Sequence, residues 1–154
     1  MTVGAMCTRS VATVHAEDTV EEAARRMREW KVAGLVVTDE AQRPIGIVTD
    51  RDIVLRGVAR CPDQLSTLPV REIMSGDVAT ASPYETLDVV LRRMRGLGVR
   101  RLPMVSADGV LEGLVTLDDI LGVMSDELRD LIGLMGREHQ DHDRPRSCVT
   151  VPAN

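Results

Sequence analysis

The chain has 154 residues, a formal net charge of −5, 44% hydrophobic and 28% charged residues; a globular chain of this size typically buries about 68–70% of its unfolded surface. No apolar run approaches the roughly 20 residues of a membrane helix, and an acidic balance without any Lys/Arg run argues against nonspecific binding to nucleic acid or to a membrane surface. With one Trp, one Tyr and no Phe, no stacking platform for single-stranded bases can be built, and any bound base must lie between aliphatic side chains.

The opening Met1–Cys7 lacks the basic and apolar stretches of a secretory signal, so the cytoplasm is the expected compartment. Cys7, Cys61 and Cys148 are odd in number and widely spaced, which fits reduced thiols rather than a disulfide framework or a zinc ribbon.

In chain order, Val11–Val14 reads as a short opening strand. Thr19-Val20-Glu21-Glu22 has the form of a capping box, opening a helix with Val20, Ala23, Ala24, Met27 and Trp30 on its apolar face. Gly34–Thr38 and Pro44–Thr49 are β-rich runs joined by a polar turn, and a second helix begins at Asp50. Residues 59–69 form a linker punctuated by Pro62 and Pro69. The order then repeats: an opening run at Val78–Ala81, a helix from Thr86 with Leu87, Val90, Leu91, Met94 and Leu97 on one face and Gly96 and Gly98 at its end, strands Arg101–Val105 and Val110–Thr116, and a helix from Leu117. Residues 125–136 read as an amphipathic helix with Leu128, Leu131, Ile132 and Met135 on one face, and 137–154 as a disordered polar tail. His139, Asp141, His142, Asp143 and Cys148 in that tail lack a scaffold that would fix a metal geometry, so no metal site is expected.

A shift of 67 positions superimposes Val3–Val54 on Val70–Leu121 without a gap, with identities that include Thr13/Thr80, Arg26/Arg93, Gly46/Gly113, Thr49/Thr116 and Asp52/Asp119. The chain is an internal duplication. Each half, residues 1–58 and 70–124, reads β-α-β-β-α. A unit of about 50 residues cannot cover its own apolar sheet face, so the expected fold is α/β (α+β), with two repeats packed sheet to sheet about a pseudo-twofold axis.

The most specific local signal is Gly46-Ile47-Val48-Thr49-Asp50-Arg51-Asp52 and its echo Gly113-Leu114-Val115-Thr116-Leu117-Asp118-Asp119. Each sits where a strand turns into a helix, where unpaired N–H groups favour a phosphate. A carboxylate in the first helical turn can accept from both hydroxyls of a ribose. The competing reading is that Thr49 or Asp50 merely caps its helix while Asp52 favours the dipole. Retention of Gly, Thr and Asp in both copies favours binding in at least one.

These segments, together with Val70-Arg71-Glu72-Ile73-Met74 and Val99-Arg100-Arg101-Leu102-Pro103-Met104-Val105, resemble the CBS domain family, whose paired repeats form a Bateman module. The resemblance spans about Val3–Met124. It implies an adenosine ligand (AMP, ADP, ATP or S-adenosylmethionine) in clefts between the repeats, with Thr49, Asp52, Thr116 and Asp119 on phosphate and ribose and Arg51 and Arg101 as phosphate partners. It further implies that the opening segments Val11–Val14 and Val78–Ala81, with Thr13, Val14, Thr80 and Ala81 among them, line an adenine slot; plain strand core is the competing reading for each residue. A homodimer and an unidentified effector protein complete the expectation: a regulatory sensor with no catalytic cofactor. A CBS pair that serves only protein interaction is the alternative. Catalysis is not expected, because no nucleophile with a base and no paired carboxylates stand out.

The first repeat departs from the pattern at Gly4-Ala5-Met6-Cys7 and at Val36, which stands where the second has Pro103. Asp118 replaces Arg51 in the second repeat, so the first cleft is expected to favour the more highly charged ligand.

Overall fold

A computed structural model describes residues 1–141, with side chains described as far as Met135. The residues beyond Asp141, with most of the anticipated disordered tail and its His142, Asp143 and Cys148, lie outside the described residues, as do the side chains of His139 and Asp141. Residues 1–119 form one compact unit that contains a three-stranded and a two-stranded sheet; 120–141 form a separate helical unit.

In the first repeat, β1 (Thr13–His15) pairs in parallel with β2 (Gly34–Thr38), which pairs antiparallel with β3 (Pro44–Thr49). Helix α1 (Val20–Trp30) separates β1 from β2. Its N-cap is half of the anticipated box. The Thr19 hydroxyl accepts from Glu22 N–H at 3.1 Å, but the Glu22 carboxylate reaches Arg25 and Arg26 instead of returning to Thr19. Its buried stripe is also narrower than the helical spacing suggests: Val20, Ala23 and Met27 are buried, whereas Ala24 and Trp30 face solvent. Lys31, in the left-handed region at φ 54°, closes the helix. After β3, α2 (Asp50–Asp52) passes directly into a π-helical turn, Ile53–Val58.

The second repeat keeps α3 (Leu87–Leu97), β4 (Arg101–Val105) and β5 (Leu111–Thr116). Gly98 caps α3 at φ 67°, as Lys31 does α1. Gly96, by contrast, lies inside the helix. Leu97 is exposed, so the α3 face too is narrower than anticipated. The expected opening strand at Val78–Ala81 is not a strand. It is reduced to a single bridge, Ala81 with Met104. The cause is Pro103. In the first repeat Val36 N–H donates to the Ala12 carbonyl at 3.2 Å and extends the ladder; at the equivalent point Pro103 has no N–H to give. Only Ala81 N–H to Pro103 C=O and Val105 N–H to Ala81 C=O remain, at 2.9 and 3.0 Å.

The pseudo-twofold relation is written in the backbone. Ser75 exchanges two hydrogen bonds with Ile47, at 3.0 and 2.9 Å, and Thr8 exchanges the equivalent two with Leu114. Thr19 likewise bridges Pro69 as Thr86 bridges Thr2. Each repeat's N-terminal segment therefore lies on the other repeat. Arg26 donates to the Thr13 carbonyl at 2.9 Å and Arg93 to that of Thr80 at 2.6 Å. A buried cluster of Val14, Val20, Ala23, Leu35, Val37, Val48, Val70 and Ile73 draws on both repeats.

Helix α4 runs unbroken from Leu117 to Asp141, taking in the helix expected from Leu117 and its amphipathic continuation at 125–136, and extending into the first residues expected as a disordered tail. In its part beyond residue 119, Leu121, Met124, Leu128, Leu131, Ile132, Leu134 and Met135 are all exposed. Among the described residues no helix is long and apolar enough to cross a membrane.

Candidate functional site

The two Thr-x-x-Asp segments form matching local structures. At the end of β3, the Thr49 hydroxyl accepts from Asp52 N–H at 3.2 Å while Asp52 Oδ2 accepts from Thr49 N–H at 2.9 Å and from its hydroxyl at 2.7 Å. Thr116 and Asp119 repeat this at 3.1, 3.1 and 2.6 Å. The capping role weighed above is therefore present in both copies, and it occupies one carboxylate oxygen in each. In the first copy the other oxygen, Oδ1, has Arg56 at 3.6 Å. Arg56 also donates to the carbonyls of Ile73 and Met74, tying the Asp52 turn to the second repeat's N-terminal segment. Val123 stands 67 positions after Arg56, so the second copy has no such clamp.

Around these turns open two cavities of different character. The Thr49 cleft, of about 380 Å³, is lined by Thr49 and Asp52, by Ser75–Ala79, by Arg100 and Arg101, and by the aliphatic Ile47, Leu97, Val99 and Leu102. It combines apolar walls, a carboxylate and cations, the complement of a nucleotide's base, ribose and phosphate. The Ala79 carbonyl, deprived by Pro103 of the donor that its counterpart Ala12 has, accepts no hydrogen bond among the described residues. The Thr116 cleft is smaller, about 280 Å³. It is lined by Thr116, Leu117 and Asp118 with Val32–Gly34, Leu114, Arg100 and Arg101, and neither Asp119 nor the Val11–Val14 segment lines it.

The structure thus brings Thr49, Asp52 and Arg101 together and sets other anticipated residues apart. Arg51 lies on a shallow surface with Asp50, Val54 and Leu55, outside the Thr49 cleft. Thr80 and Ala81 line a third cavity with Ser82–Glu85, Arg93 and Ser106. Val14 is fully buried in the core, and the Thr13 carbonyl serves Arg26. The lining residues that sequence reasoning passed over include Ile47, Ser75, Gly76, Asp77, Leu97, Val99, Arg100 and Leu102. The exchange of N-terminal segments, which bonds Ser75 to Ile47 and has no sequence motif of its own, brings Ser75 to the cleft. In the third cavity, the Arg93 guanidinium hydrogen-bonds Glu85 at 2.5 Å and holds its carboxyl below the usual range. The Ser82 N–H adds to this and partial burial opposes it. Among the described residues no group of three or more His, Cys, Asp or Glu could hold a metal ion.

A duplicated unit, complete as β-α-β-β-α in the first copy and without the opening strand in the second, with exchanged N-terminal segments and a capped Thr-x-x-Asp turn in each copy, defines a tandem-repeat module. The model of the CBS domain matches residues 3–58 and 70–126, and the chain belongs to the CBS domain family. An uncharacterised protein of Methanopyrus kandleri is 37% identical over 80% of this chain, which spans 62% of that relative's length. The CBS domain-containing protein YhcV of Bacillus subtilis is 35% identical, over 78% of this chain and 84% of its own. The inosine-5'-monophosphate dehydrogenase of Korarchaeum cryptofilum is 38% identical, but only over 22% of its length. Among solved structures, the CBS domain pair of protein MJ0100 in complex with 5'-methylthioadenosine and S-adenosyl-L-methionine aligns with a TM-score of 0.72 and 25% identity, covering 82% of this chain and 98% of that one. The pair is a regulatory module.

Proposed function

We propose that the protein is a sensor that binds an adenosine ligand in the Thr49 cleft and passes its occupancy to a partner protein. The observation that carries this reading is the composition of that cleft. Asp52 is 15% exposed and keeps Oδ1 outside its cap for ribose hydroxyls. Ile47, Val78, Leu97 and Val99 supply aliphatic walls for a base, and the unclaimed Ala79 carbonyl suits the exocyclic amine of adenine rather than the carbonyl oxygen of guanine. Arg100 and Arg101 supply charge for a phosphate. The MJ0100 pair, with its two adenosine derivatives, supports the ligand class.

On this reading Thr116 and Asp119 serve a weaker second site, while Arg51, Thr13, Val14, Thr80 and Ala81 act on the fold or on other surfaces. The apolar residues exposed along α4 beyond residue 119 support a homodimer. Light scattering with Leu131→Glu should then show a shift from dimer to monomer. Ligand-induced change in the module, read by an effector, is the regulatory step.

Thermal unfolding with AMP, ADP, ATP and S-adenosylmethionine, and GTP as control, tests the ligand class. A ligand at 100 times its Kd adds about 2.7 kcal/mol, or about 5–10 °C for a chain of this size. One adenosine ligand giving that rise, with GTP inert, supports the reading. No rise with any of them favours a CBS pair devoted to protein interaction.

A further inference from the structure

Arg101 has no counterpart in the first repeat, because the residue 67 positions earlier is Gly34. Gly34 opens β2 opposite Thr49, and Arg101 opens β4 opposite Thr116. The two positions meet, and the guanidinium occupies the space that a side chain at 34 would fill: a Cβ there would collide with Arg101 Nη1. From that seat Arg101 lines both clefts, and so does Arg100. Among the described residues neither side chain makes a hydrogen bond or an ion pair. The carboxylates, in contrast, are private: Asp52 and Asp77 belong to the Thr49 cleft and Asp118 to the Thr116 cleft.

We propose that the two clefts share Arg100 and Arg101, the only cations that line either among the described residues, so that a phosphate-bearing adenosine ligand in the Thr49 cleft weakens binding of a second one in the Thr116 cleft. The proposal rests on the adenosine-binding reading above. A guanidinium has five donors but a single charge. Once it neutralises one phosphate, a second phosphate nearby meets the first ligand's charge and, in the Thr116 cleft, Asp118 as well. Uncharged adenosine brings no phosphate and escapes the coupling. The effect is reciprocal, so filling either cleft with a phosphate ligand weakens the other by the same factor.

Unequal intrinsic affinities would also give two distinct Kd values, so the test compares the same cleft with its neighbour full and empty. Titration calorimetry with AMP is run on the wild type and on Asp52→Ala, which empties the Thr49 cleft; Pro103→Val, which leaves the cap intact and weakens the Thr49 cleft about ten-fold, lowers its occupancy by a second route. The Thr116 cleft should bind AMP about ten-fold more tightly in these variants than in the wild type with the Thr49 cleft filled, within the range usual for coupled sites. A wild type with one event, and a variant in which a new event emerges, supports the same conclusion. Adenosine should give no such difference, and the double variant Arg100→Ala/Arg101→Ala should abolish it for AMP. Equal AMP affinity of the Thr116 cleft in wild type and variants, an Asp52→Ala protein with no event at all, or a difference that persists without both arginines overturns the coupling. If no adenosine ligand binds the wild type, the binding reading fails and takes the coupling with it.

Discussion

The Thr49 and Thr116 clefts are built from residues 67 positions apart and share the same capped turn, yet they differ in what surrounds it. The first is walled by Ser75–Ala79, includes its Asp52 and retains an unclaimed Ala79 carbonyl. The second is smaller, excludes Asp119 and carries Asp118. A duplicated fold therefore preserves the scaffold of a site more readily than the residues around it. The turn is kept because it caps a helix in both copies, and that requirement does not depend on a ligand.

The largest break in the comparison should come from Asp52→Ala against Asp119→Ala. Both variants keep the Thr hydroxyl cap and lose the same half of the capping box, the carboxylate that accepts from the Thr N–H and hydroxyl, worth about 1 kcal/mol of stability. Only Asp52→Ala should also abolish the main ligand stabilisation, about 2.7 kcal/mol at 100 times Kd, in thermal unfolding.

Next in size is the pair Gly46→Ala and Gly113→Ala. A Cβ at 46 would stand 2.6 Å from Met74 Sδ and 2.9 Å from the Ser75 carbonyl oxygen, whereas at 113 the nearest atoms, Cys7 Sγ and the Thr8 oxygen, are at 3.1 Å. Overpacking of this kind costs about 1–3 kcal/mol. Denaturant unfolding should place Gly46→Ala at the upper end and Gly113→Ala at the lower.

Pro103→Val makes the second repeat resemble the first. Its new N–H should claim the Ala79 carbonyl, lowering adenosine-ligand affinity about ten-fold, close to the 1.4 kcal/mol of one hydrogen bond. Stability should be unchanged or raised, and calorimetry with parallel thermal unfolding separates the two effects.

The smallest effect concerns the third cavity. Glu85 has its carboxyl pKa lowered by the hydrogen bond from Arg93, so the stability it contributes is complete above the ordinary carboxylate range, about 4.3 in the unfolded chain. That contribution is lost as pH falls through the lowered folded value. Glu85→Gln should therefore cost about 0.5–1 kcal/mol at pH 7 and progressively less in acid, as followed by denaturant midpoints.

Much of this architecture was legible in the sequence, because a gapless duplication with helical and alternating periods fixes the order of elements. Three strands, Gly34–Thr38, Pro44–Thr49 and Arg101–Val105, fall where the pattern put them. The opening strand of the second repeat did not form, and Pro103 carried the reason, since a missing N–H shortens a ladder only once its partner strand is known. The site was legible in part. Thr49, Asp52 and Arg101 meet in one cleft, but Thr80 and Ala81 lie one step too far along the segment whose earlier residues, Val78 and Ala79, line it. Which side of a short extended segment faces a cavity depends on tertiary register. Arg51 failed to join the cleft for a related reason: adjacent positions on a helix point in different directions, and only Asp52 turns inward.

The central claim is that the Thr49 cleft is the principal adenosine site, and the most direct test is titration calorimetry of one responsive adenosine ligand on wild type, Asp52→Ala and Asp119→Ala at equal ionic strength. The tight event should survive in Asp119→Ala and vanish in Asp52→Ala. A tight event lost in Asp119→Ala and retained in Asp52→Ala would contradict it and move the principal site to the second repeat.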